Sequence, residues 1–215
     1  MKKVIVTQRI DYIDNYREIR ESIDQALSNW LIQANFLPIP ITNSFLNTKI
    51  NQNLKVKNEL LIENFLSTIK PDALLLSGGN NIGEYLSRDK TEKFLLDWSY
   101  NNRLPVLGIC RGMQMMSVWS GGKLSQVKNH VGTRHKLKIC GSDKKWPTDV
   151  NSFHEWGLSN CPSGFELKAL TCDGEIEAFK HKDLPWEGWM WHPEREATFN
   201  GIDQMRFKRL VNNEK

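Results

Sequence analysis

The sequence predicts an α/β protein with a mostly parallel central sheet and an antiparallel extension. Three observations lead there. Continuously apolar runs such as Ala73-Leu74-Leu75-Leu76 suit a strand covered on both faces. Segments with helical spacing of apolar residues lie between them. After Gly121-Gly122 the helices give way to short strands and turns rich in tryptophan.

Taken in order, Lys3 to Thr7 reads as a buried opening strand. Ile19, Ile23, Ala26, Leu27, Trp30 and Leu31 recur at helical spacing, which predicts a helix over Tyr16 to Ala34. Phe36 to Ile41 is a short strand carrying prolines, and Glu59 to Ile69 a helix that Lys70-Pro71 stops. The Ala73 to Leu76 strand ends in the loop Ser77-Gly78-Gly79-Asn80-Asn81. A helix over Thr91 to Asn101, a strand over Leu104 to Ile109 and a helix over Arg111 to Trp119 follow, and Gly121-Gly122 ends the last. Beyond it, Leu137 to Ile139, Asp149 to Phe153, Phe165 to Thr171, Ile176 to Lys180 and Gly188 to Trp191 read as strands. Asp203 to Val211 closes as a helix with basic residues late in it. No linker, repeat or low-complexity segment divides residues 1–215, which read as one domain.

Composition narrows the class. The chain has 215 residues, enough to bury a core without staples, and its 40% hydrophobic and 25% charged content is that of a globular protein. No apolar run approaches a bilayer span and the first strand is too short for a signal peptide, so a cytoplasmic location is expected. Cysteines 110, 140, 161 and 172 fit no zinc spacing and read as free thiols. A net charge of +4 suits an anionic small molecule, while no basic arm or stripe points to nucleic acid. His130, His135 and His181 lack partners in sequence and read as surface or internally satisfied rings. No metal constellation and no cofactor are expected.

The chemistry concentrates in Leu107-Gly108-Ile109-Cys110-Arg111-Gly112-Met113-Gln114. An apolar strand runs into a cysteine with a glycine two residues to either side, the thiol form of the nucleophile elbow. Gly108 and Gly112 let strand and helix approach closely there. A cysteine just before a helix gains thiolate character from the helix dipole and unpaired amides. Downstream, His192-Pro193-Glu194 offers a base and an orienting carboxylate; on a strand continuing Trp189-Met190-Trp191 both side chains would share a face. The amides of Arg111 and of Gly79 are the expected oxyanion donors. In such sheets ligands sit beyond the carboxyl ends of the strands, where Gly78-Gly79, Cys110-Arg111 and His192-Glu194 converge. The reaction class is acyl transfer through a thioester.

At these residues the chain resembles a class I glutamine amidotransferase domain, and more narrowly the stand-alone γ-glutamyl hydrolases of the peptidase C26 group. Thr7-Gln8-Arg9 resembles the opening strand, Leu76-Ser77-Gly78-Gly79 the oxyanion loop, Val150-Asn151-Ser152-Phe153-His154 the Asn-Ser-x-His segment, and His192-Pro193-Glu194 the rest of the triad. The resemblance implies a flavodoxin-like three-layer fold and a γ-glutamyl amide cleaved on Cys110. It implies that Gln114 and Asn151, Ser152, Phe153 and His154 hold the glutamyl end. Where many relatives carry Asp and a second His, this chain has Asn80-Asn81 and Glu155. That departure argues against a polycationic leaving group; Arg9, Arg111, Asn80, Asn81 and Lys144-Lys145 would suit an anionic one. The resemblance over the whole chain implies a nucleotide-bearing γ-glutamyl amide, of the kind used in capsular polysaccharide modification, with Trp146, Trp156 or Trp186 available to stack its base. Competing readings are a glutaminase subunit feeding ammonia to a separate synthase, a hydrolase of another small γ-glutamyl amine, and an inactive binding module.

Overall fold

In the computed structural model, which describes residues 1–46, 58–142 and 145–214, eight of the strands form one sheet with helices on both faces, and the other six pair two by two. The elements in chain order are β1 (Lys2–Thr7), β2 (Arg9–Ile13), β3 (Glu18–Ser22), α1 (Gln25–Gln33), β4 (Phe36–Ile41), α2 (Asn58–Ile69), β5 (Ala73–Leu76), α3 (Leu86–Asn101), β6 (Val106–Ile109) and α4 (Arg111–Trp119). There follow β7 (Leu124–Gln126), β8 (Val131–Lys136), β9 (Lys138–Ile139), β10 (Asp149–Phe153), β11 (Trp156–Leu158), β12 (Phe165–Leu170), β13 (Ile176–His181), β14 (Trp186–Trp189) and α5 (Gly201–Asn212).

Eight strands form the main sheet in the order β4-β1-β5-β6-β14-β13-β12-β9, and the other six pair as β2–β3, β7–β11 and β8–β10. Pairings from β4 to β14 are parallel, and β14 onward antiparallel, so β14 is the seam between parallel core and extension. Val4, Val6, Leu75, Leu107 and Ile109 face one layer with Trp30, Trp189 and Phe207. Ile5, Leu74, Leu76 and Val106 face the other with Ile62, Leu66, Met113 and Met116. That period-2 split across fully buried strands produces the three layers. Among the described residues no helix is long and apolar enough to cross a membrane.

Two helices depart from the sequence expectation, and the short strands β7, β8 and β11 were not anticipated. The expected helix over Tyr16 to Ala34 is only Gln25–Gln33, started by the Asp24 side chain accepting from the Ala26 amide. Residues before it form the hairpin β2–β3 instead. Ile19 matched the helical spacing by coincidence: it is 68% exposed and packs into no core. The helix expected from Thr91 starts at Leu86, because its first turns bury Arg88, Asp89 and Glu92 rather than apolar residues. The periodicity of burial is intact, but polar side chains carry it.

The elbow after β6 depends on close approach. A Cβ at Gly112 would lie 2.1 Å from the Leu76 carbonyl oxygen, and one at Gly108 2.6 Å from Met116 Sδ. Cys110 between them holds φ 50° and ψ −107°, a conformation that non-glycine residues occupy at a cost of about 1–3 kcal/mol. The strand-to-helix turn is thus built around that one strained residue.

Candidate active site

Three strand ends bring the candidate residues together at the carboxyl edge of the parallel sheet. Cys110 follows β6, the Ser77 to Asn81 loop follows β5, and His192 follows β14 after two buried residues, Met190 and Trp191. Cys110 is fixed by its amide donating to the Trp189 carbonyl at 2.7 Å and its carbonyl accepting from Gln114 at 3.0 Å. The His192 ring lies beside its thiol, and the two groups act on each other electrostatically.

Glu194 Oε1 lies 2.6 Å from His192 Nδ1, which leaves Nε2 for the sulfur. The route to that contact differs from the strand alternation expected. β14 ends at Trp189, and Pro193–Arg195 form a 3₁₀ turn whose first turn swings Glu194 back under the ring. Proline with its fixed φ starts that turn. Asn151 holds the segment from β10: its Oδ1 accepts from the His192 amide at 3.0 Å and its Nδ2 donates to the His192 carbonyl at 2.8 Å. Gly78 leaves room for the ring, since a Cβ there would fall 2.6 Å from His192 Cε1.

The electrostatics favour an ion pair. Burial pushes the Cys110 thiol up, but the His192 ring beside it, His154 and the Arg111 amide bring it below the ordinary thiol value. Burial pushes His192 down, and Glu194 and Cys110 more than reverse that, raising it to about 10. The sign of the pH dependence follows. Activity should rise as pH climbs through the lowered Cys110 value and fall as His192 loses its proton near pH 10. Replacing Glu194 by Gln removes the main raising influence on His192. The alkaline limb of kcat/KM should then move to lower pH while the acidic limb shifts less; an unmoved alkaline limb would assign it to another group.

The expected oxyanion loop rests on a buried charge network that was not legible in the sequence. Glu92 of α3 accepts from Arg88 Nε at 3.0 Å, from Thr7 Oγ1 at 2.9 Å and from Arg111. Arg88 Nη2 then donates to the carbonyls of Ser77 at 2.8 Å and Gly78 at 2.9 Å, and Arg111 Nε to that of Asn80 at 2.8 Å. These bonds fix the carbonyl side of the loop, in which Gly79 holds φ 101°. Burial would raise the Glu92 carboxyl, but Arg111 and Arg88 hold it below the usual range; burial lowers Arg88 to about 10, still charged at neutral pH.

A cavity of about 390 Å³ opens above Cys110. Its lining includes the cations Arg9 and Arg195, the carboxylates Glu84 and Glu155, the loop residues Gly79, Asn80 and Asn81, and Gln114, Phe153, His154 and Trp156. Several expected roles are reassigned by the contacts. The Arg111 guanidinium is spent on Asp89 and Glu92 and faces no leaving group. Asn80 uses its amide on the Ile10 backbone, accepting at 2.8 Å and donating at 2.9 Å. Asn151 and Ser152 do not line the cavity; Ser152 Oγ donates to the His130 carbonyl at 2.6 Å. Both His154 nitrogens turn inward, Nδ1 to the Trp156 carbonyl at 3.0 Å and Nε2 to His130 at 3.3 Å.

Gln114 and Phe153 stay where they were expected, Gln114 buried at the cavity floor and donating to the Trp156 carbonyl at 2.8 Å. Arg195, which stacks its guanidinium 4.7 Å from the Phe153 ring, was not anticipated at all. Lys145 lines a separate cleft with Lys180, Lys182 and Arg206, and Lys144 lies outside the described residues. Trp146 and Trp186 are core; Trp156 alone of the three tryptophans reaches the cavity.

The fold and this grouping together define a glutamine amidotransferase-like hydrolase. The chain belongs to the Peptidase C26 family, whose model matches residues 7–194. It is similar to the γ-glutamyl-CDP-amidate hydrolase of Campylobacter jejuni, 32% identical over 210 residues that make up 94% of each chain. It is also similar to a glutamine-hydrolyzing GMP synthase subunit from Methanococcus aeolicus, 29% identical over 62% of this chain and 70% of that one. In fold it is similar to the glutaminase domain of Trypanosoma brucei CTPS with bound acivicin, with TM-score 0.73, 11% identity, and coverage of 100% of this chain and 95% of that one.

Proposed function

We propose that this protein is a cysteine-dependent hydrolase of a γ-glutamyl amide, with Cys110 as nucleophile, His192 as acid and base, and Glu194 as the carboxylate that orients His192. The observation that carries the reading is the Cys110–His192–Glu194 chain of contacts, with Glu194 2.6 Å from the ring and the thiol value lowered by it. The Cys110 thiolate attacks the γ-carbonyl carbon. The oxyanion takes hydrogen bonds from the Gly79 and Arg111 amides, each worth about 3–4 kcal/mol in the transition state. His192 Nε2–H protonates the leaving nitrogen as the C–N bond breaks, leaving a γ-glutamyl thioester. Water, deprotonated by His192, then releases glutamate and restores the thiolate. Gln114 and the Phe153-His154 backbone hold the glutamyl end.

For the leaving group we propose a CDP-amidate. Its support is the likeness to the C. jejuni γ-glutamyl-CDP-amidate hydrolase along 94% of both chains. Arg195 on the cavity wall is the cation we assign to a diphosphate, with Arg9, which pairs with Asp11 at 2.9 Å, in the same lining, and Trp156 is the ring we assign to a base. The GMP synthase likeness favours a second reading, a glutaminase subunit serving a separate synthase. Comparing kcat/KM for γ-glutamyl-CDP-amidate and for free glutamine separates the two. A preference of about 100-fold or more for the nucleotide amide is expected. A preference for glutamine would favour the second reading.

A further inference from the structure

Outside the proposed triad, His130, His154 and Glu177 form a second buried cluster with a definite geometry. His130 stands just before β8, His154 just after β10 and Glu177 in β13 of the main sheet. They are 1%, 4% and 0% exposed. His130 Nδ1 lies 3.3 Å from His154 Nε2, His154 Nε2 lies 3.4 Å from Glu177 Oε1, and His130 Nδ1 lies 3.9 Å from the same oxygen. Neither Glu177 oxygen has a hydrogen-bond partner.

The outward-facing contacts each place a hydrogen on one nitrogen of the two rings. A carbonyl only accepts, so His154 Nδ1 carries a hydrogen toward Trp156 O at 3.0 Å. A carboxylate likewise only accepts, so His130 Nε2 carries a hydrogen toward Asp173 Oδ2 at 3.1 Å. Two ring nitrogens and a carboxylate are thereby aimed at one another. A charge-assisted N–H···O⁻ bond would close to about 2.7–2.9 Å, and the 3.4 Å separation of His154 and Glu177 is too long for one. It matches the spacing between two ligands of one metal ion. The circle through three atoms 3.3, 3.4 and 3.9 Å apart has a radius of about 2.1 Å, the Zn–N and Zn–O distance. The outer contacts are those that metal-bound imidazoles make: a carboxylate behind one ring and a backbone carbonyl behind the other.

We propose that His130, His154 and Glu177 form a binding site for a late first-row divalent cation, zinc by its donor set. Two imidazoles with one carboxylate suit such an ion, whereas magnesium and calcium take oxygen ligands. Bound there, the cation would clip β8 and β10, which carry Asn151 to His154, to β13 of the main sheet. It would act as a structural tie behind the cavity and take no part in the acyl transfer.

The test uses the full chain stripped with chelator and carrying Cys110→Ala, so that the elbow thiol supplies no ligand. Co²⁺ is titrated by its visible absorption, Zn²⁺ by calorimetry, and thermal unfolding is followed with and without Zn²⁺. One equivalent of each ion is expected, with a Zn²⁺-dependent rise in Tm and none with Mg²⁺. Glu177→Gln should weaken binding by about 100-fold or more, and Asp173→Asn by roughly tenfold through loss of the carboxylate behind His130. Asp173 is largely exposed, so its variant remains decisive if Glu177→Gln does not fold. Absence of stoichiometric binding, equal response to Mg²⁺, or unchanged affinity in Asp173→Asn would overturn the site.

Discussion

Replacing Cys110 with Ala should lower kcat by about four to six orders of magnitude while leaving the fold and its Tm essentially in place. On the proposed covalent route the loss is large: without the sulfur no thioester forms, and water alone must attack an amide. The fold should survive because Cys110 sits at the tip of the elbow, where it holds φ 50°. Alanine adopts that backbone at a similar cost, and the turn's close contacts belong to Gly108 and Gly112. Circular dichroism and thermal melts report the fold, and single-turnover assays report the chemistry. A variant with more than about 1% of wild-type kcat would remove the cysteine from the reaction.

Glu92→Gln should be the most damaging single change outside the triad. The carboxylate is fully buried and is shared by Arg88 and Arg111, so the amide leaves two buried guanidiniums short of their counter-ion. Breaking a buried ion pair on one side costs about 3–5 kcal/mol. For a chain of this size that is a fall in Tm of roughly 10 °C. The same guanidiniums pin the Ser77, Gly78 and Asn80 carbonyls, so the loop carrying Gly79 should loosen with them. We expect kcat to fall more than KM rises in the folded fraction, because the loop's amide meets charge that develops only in the transition state. Asp89→Asn should cost less, since Asp89 is nearer the surface and pairs with one guanidinium, that of Arg111, besides accepting from the Gly83 amide at 2.8 Å. Equal damage from the two variants would place the network's weight elsewhere.

Both the elbow and its partners were legible in the sequence for a local reason. Gly108, Cys110 and Gly112 are two residues apart, and so are His192 and Glu194, so spacing reports the pairing, though not the 3₁₀ turn that brings Glu194 to the ring. Parallel strands such as β5 and β6 were legible because burial on both faces leaves an unbroken apolar run. What escaped depends on contacts between distant residues. Arg88 and Glu92 lie in the interior, where their network joins Thr7, Ser77, Gly78 and Arg111 from separate segments of the chain. His130 had no partner in sequence because His154 and Glu177 lie on other strands. The β2–β3 hairpin was hidden by Ile19 and Ile23, whose spacing imitates a helix although Ile19 packs into no core.

Partitioning of the acyl group tests the thioester most directly. With hydroxylamine in the assay, product is divided between glutamate and γ-glutamyl hydroxamate as the two nucleophiles compete. A thioester on Cys110 predicts hydroxamate rising with hydroxylamine, at one partition ratio for γ-glutamyl-CDP-amidate and glutamine alike, because both leave the same acyl-enzyme. Glutamate alone, or a ratio that changes with the leaving group, would contradict a common thioester.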